Sequence, residues 1–281
     1  MEHKIGWLNR PGTTGETYNP VTGCTKISPG CKNCYAERMS KRLRGRFGYP
    51  QDDPFAVTLH EDKLNLPLKW QKPRTVFVCS MGDLFHEDVP FKYIDRIWRR
   101  MDATPQHTYM VLTKRPARLL EYWAYRAERS RADSLAFSNV ILGVTVENQD
   151  HEDRIPLLLQ CPAAKRFVSY EPALGAVDFR PWMPCVTCGN SGKVGYSSDT
   201  AEDCPDCKGM SVYQAMEGAF LDYVIAGAET GPGARPADPA WFRSVRDQCA
   251  GAGVPFFMKA VSGKGPVPDD LMIREWPGGA E

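Results

Sequence analysis

TYMVLTKRPARLLEYWAYRAERS, residues 108–130, contains a short β-rich apolar run (108–113), the polar pair Lys114-Arg115 and a helix-length amphipathic segment (117–130). The run is too short for a helix and rich in β-branched and aromatic side chains, as a buried parallel strand is. Strand, polar turn and helix in that order make a βα unit. The pattern recurs. TVFVCS (75–80), NVILGVTV (139–146), RFVSYEP (166–172), LDYVIAGAE (221–229) and VPFFMKA (254–260) read as further strands. FKYIDRIWRRMD (91–102), NQDHEDRIPLLLQ (148–160) and DPAWFRSVRDQCAGAG (238–253) read as further helices. Asp238-Pro239 fits an N-cap followed by N1, and Gly251 or Gly253 a helix stop.

Polar residues gather just past the expected strand ends: Met81-Gly82-Asp83, Lys114-Arg115, Glu147-Asn148 and Glu229-Thr230. Such clustering marks the C-terminal rim of a βα barrel, whose loops carry the chemistry. A doubly wound sheet would more often show a glycine-rich phosphate loop after its first strand, and none is visible. The expected fold is therefore α/β, a partial (β/α)6-type TIM barrel formed by residues 1–180 and 220–281. Residues 181–219, rich in Gly, Ser and Cys and poor in aliphatic side chains, read as an insertion between two βα units.

Apolar residues make up 42% of the 281-residue chain, enough for a full core without disulfides. A net charge of +1 excludes the global electrostatic signature of a nucleic-acid binder. A local basic run remains at Arg38, Lys41, Arg42, Arg44 and Arg46, which otherwise reads as a solvated helix face. No stretch approaches the ~20 apolar residues of a membrane span, and MEHKIGWLNR lacks the apolar core of a signal peptide, so the expectation is a cytoplasmic protein. In that compartment clustered cysteines point to metal rather than disulfide chemistry.

The insertion carries Cys185-Val-Thr-Cys188 and Cys204-Pro-Asp-Cys207, two Cys-x-x-Cys knuckles fifteen residues apart. Four thiolates at this spacing suit a closed tetrahedral zinc site that folds a segment too small for its own core. An auxiliary iron–sulfur cluster is the alternative occupant. The second constellation, CTKISPGCKNC (24–34), offers three thiols: Cys24, Cys31 and Cys34. Three thiolates can hold three irons of a [4Fe–4S] cube and leave the fourth iron open to a cofactor or substrate. Cys79, Cys161 and Cys249, each in an apolar setting, read as core residues.

The trio resembles the cluster loop of radical S-adenosylmethionine enzymes, whose usual pattern is Cys-x3-Cys-x2-Cys. Cys31-Lys-Asn-Cys34-Tyr35 matches the second half, while six residues instead of three separate Cys24 from Cys31. The chain is also similar to a phage and prophage three-cysteine-motif family, from Gly6-Trp7 through GAETGPGARP (227–236) to VPFFMK (254–259). This resemblance implies a partial barrel of the radical S-adenosylmethionine kind. It further implies a 5′-deoxyadenosyl radical made with an electron donor's help, in the host cytoplasm if the protein is phage-encoded.

On that resemblance Ser80, Met81, Gly82 and Asp83 occupy the place that receives the cofactor's methionine amine. Thr145, Glu147 and Asn148 are candidates for its ribose, Ser169 and Glu171 for cofactor or substrate, and Tyr35 for packing on the cluster or adenine, although a core tyrosine reads equally well. Lys114, Arg115, Arg235 and Lys259 are candidate substrate cations, facing a carboxylate or phosphate. Glu171, Glu229 and His86 are the candidate catalytic groups, His86 being a loop histidine first and a proton-transfer group second. The phage association suggests a nucleobase, a modified nucleotide or DNA as partner, for example a thymidine-type hypermodified base. Two other readings stand beside this one. The first is a zinc-dependent nucleic-acid-binding or adaptor protein, in which His3, His60 or His86 completes a Cys3His site with the trio. The second is a non-radical metalloenzyme with zinc held by three thiolates and water, for which an all-thiolate site is a poor activator.

Overall fold

Parallel strands alternate with helices in the computed structural model, so the class is α/β; it describes residues 5–129, 137–194, 201–207, 209, 219–262 and 265–278. The chain divides into two compact units, Met1–Thr145 with Cys161–Lys165 and Val146–Gln160 with Arg166–Glu281.

In the first unit, β1 (Thr14–Tyr18), β2 (Arg74–Val78), β3 (Thr108–Thr113) and β4 (Val140–Thr145) lie side by side in that order, all parallel. Strand β4 is buried at every residue, which explains its unbroken apolar sequence. Strand β1 is absent from the sequence reading because TGETY has no aliphatic residue. It lies at the end of the strand order, where a half-exposed polar strand is tolerated, and the fully buried Tyr18 anchors it through a hydroxyl donated to Leu64 O (2.9 Å). Helices α1 (Tyr35–Leu43), α2 (Phe91–Asp102) and α3 (Pro116–Ala127) belong to this unit. Tyr93, Ile94, Ile97, Trp98 and Met101 form the buried stripe of α2, at the spacing of one helical face. Trp98 meets Tyr122 and Trp123 of α3 at ring-centroid distances of 6.0 and 5.8 Å. The last residue of the helix expected over 117–130 lies outside the described residues.

In the second unit, β5 (Lys165–Tyr170, all but its first residue in this unit), β6 (Tyr223–Gly227) and β7 (Phe256–Ala260) run parallel in that order. The helix expected over 148–160 is instead a 3-10 turn, Gln149–His151, followed by the short α4 (Arg154–Leu159). Pro156 accounts for the break, since proline fits only the first turn of a helix and bars an earlier start. Helix α5 (Pro239–Ala252) begins as expected: Asp238 caps it by accepting from Ala240 N–H, and Gly253 closes it at φ 67°. Within the insertion, Lys193–Val194 pairs antiparallel with Glu202–Asp203, and residues 195–200, 208 and 210–218 lie outside the described residues. Among the described residues no helix is long and apolar enough to cross a membrane.

Trp98 is fully buried between aromatic rings. Trp98→Ala is expected to cost about 3–5 kcal/mol of stability, measured by denaturant unfolding followed by circular dichroism.

Candidate metal and cofactor site

The three N-terminal thiols lie between β1 and α1, in the loop that begins just past Val21–Thr22, a short strand paired antiparallel with Thr58–Leu59. Cys24 N–H donates to Phe55 O (3.2 Å), Cys31 ends a 3-10 turn opened by Pro29, and Cys34 is the N-cap of α1, its carbonyl accepting from Arg38 N–H (3.2 Å). The start of this loop rests against the turn after β2. There Cys79 takes φ 59°, its N–H donates to Tyr18 O (2.8 Å), and Gly82 N–H closes on Cys79 O (3.1 Å). Gly82 pairs directly with Gly23. A Cβ on Gly23 would stand 2.2 Å from Ala56 O, and one on Gly82 2.7 Å from Gly23 O, so only glycines allow this approach.

Arg115, just past β3, ties these pieces together although it is 6% exposed. Its Nη1 donates to Cys24 Sγ (3.3 Å) and to Asp83 Oδ2 (3.5 Å), its Nη2 to Thr25 Oγ1 (2.8 Å) and Thr25 O (3.2 Å), and its Nε to Glu87 Oε1 (3.1 Å). Asp83 also accepts from Thr113 Oγ1 (2.8 Å), Lys114 N–H (3.1 Å) and Phe85 N–H (3.0 Å). Its carboxylate is thus engaged in holding the ends of β2 and β3 together. His86 Nδ1 accepts from Asp88 N–H (3.1 Å), which leaves Nε2 to pair with Thr25 Oγ1 (2.9 Å). Ser80 Oγ donates to Asn19 Oδ1 (3.2 Å), and so does Met81 N–H (3.0 Å). Tyr35 is 60% exposed and is not a core tyrosine.

The thiols differ in acidity. Burial pushes the Cys24 thiol up to about 11, aided by the Asp83 charge and opposed by Arg115. Burial also acts against ionising Cys31, but the Ile27 backbone, Lys114 and Ser28 outweigh it and bring that thiol below its ordinary value.

In the second unit the structure pairs candidates that the sequence reading keeps apart. Lys259 Nζ donates to both oxygens of Glu171 (2.7 and 2.9 Å), and Gly227 leaves space for that carboxylate, since a Cβ there would lie 3.3 Å from it. Arg235 donates to Glu229 through Nη2 (2.6 Å), Nε (2.9 Å) and its backbone N–H (2.9 Å). Glu147, 0% exposed, accepts from Arg154 Nη1 (2.7 Å), with His151 at 3.9 Å. Asn148 is bonded to Asp150 (3.0 Å) and His151 (2.6 Å), while Thr145 and Ser169 are buried. Arg154, Thr25 and Thr113 carry functional contacts that no motif in the sequence announces. The signal for Thr25 is its place beside Cys24; for the other two there is none without the fold.

Cys185, Cys188, Cys204 and Cys207 bring their sulfurs within 4.8 Å of one another, the one such group of three or more metal-ligating side chains among the described residues. Cys185 and Cys204 are 3.6 Å apart, Cys188 and Cys207 3.7 Å. Four sulfurs held ~2.3 Å from one tetrahedral ion lie about 3.8 Å apart, so these four can hold a metal ion. Asn190 stiffens the first knuckle by accepting from Cys185 N–H (2.6 Å), and Cys204 and Cys207 are fully buried. The sulfurs of Cys24, Cys31 and Cys34 do not gather this closely. Of the histidines considered as a fourth ligand to them, His60 and His86 have Nε2 paired with Thr22 and Thr25, and His3 lies outside the described residues. A cleft of about 990 Å³ lies beside the four-cysteine loop, lined by Asp178, Arg180, Val186 and Gln248 among others.

Arg115→Leu leaves Asp83 buried without its cation and is expected to cost about 3–5 kcal/mol. Denaturant unfolding of the metal-free protein measures this, and the pair Arg115→Leu with Asp83→Asn is expected to cost less than the sum of the two single changes.

The family described as "Protein of unknown function (DUF5131)" matches residues 3–269. No curated protein and no solved structure matches the chain. With nearly its whole length matched, the chain belongs to the DUF5131 family.

Proposed function

We propose that this protein is a radical S-adenosylmethionine enzyme with a [4Fe–4S] cluster on Cys24, Cys31 and Cys34, a partial TIM-type barrel and a zinc ion on the inserted four-cysteine site. One observation carries the reading: three partly exposed thiols lie between the first parallel strand and α1, with the buried Arg115 donating to Cys24 Sγ at 3.3 Å. When bound, the cluster and its cofactor would supply a 5′-deoxyadenosyl radical, given an electron from a donor protein.

The chain's own residues have separable tasks in this reading. Cys24, Cys31 and Cys34 hold three irons and leave the fourth open to the cofactor. Arg115 compensates thiolate charge at Cys24 and keeps Thr25 in place. The backbone of Ser80, Met81 and Gly82 offers carbonyls to the cofactor's amine, and Asp83 acts as the bracket beneath them. Thr145, at the end of β4, is the further cofactor-binding candidate of the unit that carries the trio. Glu171 and Lys259 share a proton donor–acceptor contact, so this pair can hold or deliver a proton. Arg235 is bonded to Glu229, and a substrate carboxylate or phosphate would reach it by exchanging with that carboxylate. The substrate in this proposal is a nucleobase of a nucleotide or of phage DNA, such as a thymidine-type base, consistent with the basic run from Arg38 to Arg46.

A zinc-dependent nucleic-acid-binding or adaptor role without radical chemistry is the second reading, for which the four insertion sulfurs alone, 3.6 and 3.7 Å apart in pairs, suffice. Anaerobic purification with iron and zinc analysis separates the two. The first predicts about four irons and one zinc per chain, with loss of the irons in the triple Ala variant of Cys24, Cys31 and Cys34. It also predicts an electron paramagnetic resonance signal of the reduced protein that shifts on adding S-adenosylmethionine. Zinc without iron would overturn it. Cys204→Ser is expected to release the zinc while leaving the irons in place, measured by the same metal analysis.

A further inference from the structure

The exposed face of α1 and the turn that follows it are basic and aromatic together. Ala36 and Ser40 are buried, and Met39 and Leu43 pack toward Tyr49 and Met81, which fixes the inner face of α1. Tyr35, Arg38 and Arg42 recur at i, i+3 and i+7 on another face, about 10 Å from first to last by helical rise. After Leu43 the chain turns through residues 44–48, all exposed. The turn is firmly built: Arg46 N–H donates to Leu43 O (2.9 Å), Tyr49 N–H to Arg46 O (3.0 Å), Gly45 N–H to Tyr49 O (3.1 Å) and Lys63 Nζ to Phe47 O (3.3 Å).

Phe47 sits in this turn at φ 54° and is 72% exposed. A bulky side chain rarely adopts that backbone conformation, and an exposed phenyl ring gains nothing from the fold. Both features oppose the stability of the isolated chain, and glycine or asparagine would relieve them. Arg42, in the last turn of α1, and Arg44 and Arg46, in the turn that carries Phe47, are exposed, and among the described residues none of them is ion-paired with a carboxylate. Arg44 and Arg46 donate only to main-chain carbonyls, of Gln51 (3.1 Å) and Arg42 (2.7 Å). Lys41 is already paired with Glu37 (3.0 Å).

We propose that this surface binds single-stranded nucleic acid, with bases stacked on Phe47 and Tyr35 and phosphates held by Arg42, Arg44 and Arg46. Guanidinium groups bind phosphate in bidentate fashion, and exposed rings offer stacking platforms that a paired duplex cannot use without opening. An acidic protein would match the charge as well, but arginines interleaved with exposed rings in one short segment (Tyr35, Arg42, Arg44, Arg46, Phe47) match the alternating phosphate and base of a single strand more closely. The proposal deepens the nucleobase reading of the substrate and rests on it for its purpose. Binding itself needs no cluster, so the two ideas fail separately.

The test is fluorescence anisotropy of the full-length protein with a labelled 20-nucleotide mixed-sequence DNA, single-stranded and as duplex, across a salt series. The single strand is expected to bind more tightly, and Phe47→Ala to weaken it about 5- to 100-fold. The triple Gln variant of Arg42, Arg44 and Arg46 is expected to flatten the slope of log K against log salt by about two. Phe47→Gly is the folding control: it is expected to raise the melting temperature while losing affinity, so that unfolding cannot account for the loss. The full-length protein purified in air and free of iron, folded by circular dichroism, is expected to bind as the anaerobically purified protein does, whatever the iron count shows. Absence of single-strand binding, or binding indifferent to both Phe47→Gly and the arginine variant, would overturn the proposal. Capture of an acidic electron-transfer protein by this surface in place of DNA would overturn it as well.

Discussion

A guanidinium removed from water needs acceptors on every side, and Arg115 finds them only because three chain segments converge on it. Thr25 and Cys24 come from the segment between β1 and α1, Asp83 from the turn after β2, and Thr113, which supports Asp83, from the end of β3. Withdrawing Asp83 would leave the buried guanidinium with only the solvent-exposed Glu87 as counter-charge, so the positions of these segments are not independent. The first thiol of the cysteine trio is therefore placed by the same contacts that close the strand ends. Backbone contact between Gly23 and Gly82 adds a steric condition to the electrostatic one.

The second unit applies the same rule with separate pairs. Glu147, Glu171 and Glu229 each stand near the end of a strand, and each meets a cation at 2.6–2.7 Å. Polar groups can be kept at such strand ends because their charges are matched locally. A ligand entering here competes with an existing partner, which favours ligands carrying both charge and hydrogen-bonding groups over apolar ones. The four-cysteine loop meets a different need: a segment with few aliphatic side chains gathers its sulfurs into a small core, where burial pushes the free Cys185 thiol up and a bound cation would reverse that penalty.

Much of the βα pattern is legible in the chain because buried parallel strands are built from unbroken apolar runs, and NVILGVTV could hardly be anything else. Strand β1 is not legible in this way. TGETY lies at the end of the strand order, so no burial requirement imprints an aliphatic pattern on it. The start of α4 escapes notice for a local reason, Pro156, whose effect depends on which helical turn it occupies. The insertion's metal-binding capacity is readable from two knuckles alone, since each places two sulfurs by short-range geometry and only one loop has to close.

By itself the sequence determined the α/β class, the order of most strands and helices, and the pairing of two Cys-x-x-Cys knuckles as a candidate metal site. These depend on periodicity and on spacings of a few residues, which the chain carries locally. Only the tertiary structure decided the partners. Arg115 belongs to Cys24, ninety-one residues away, Lys259 to Glu171, eighty-eight residues away, and Phe47 is left exposed instead of buried. A side chain's charge is written in its own letter, but whether that charge is neutralised, shared or left for a ligand depends on which distant segments the packing of the sheet brings beside it.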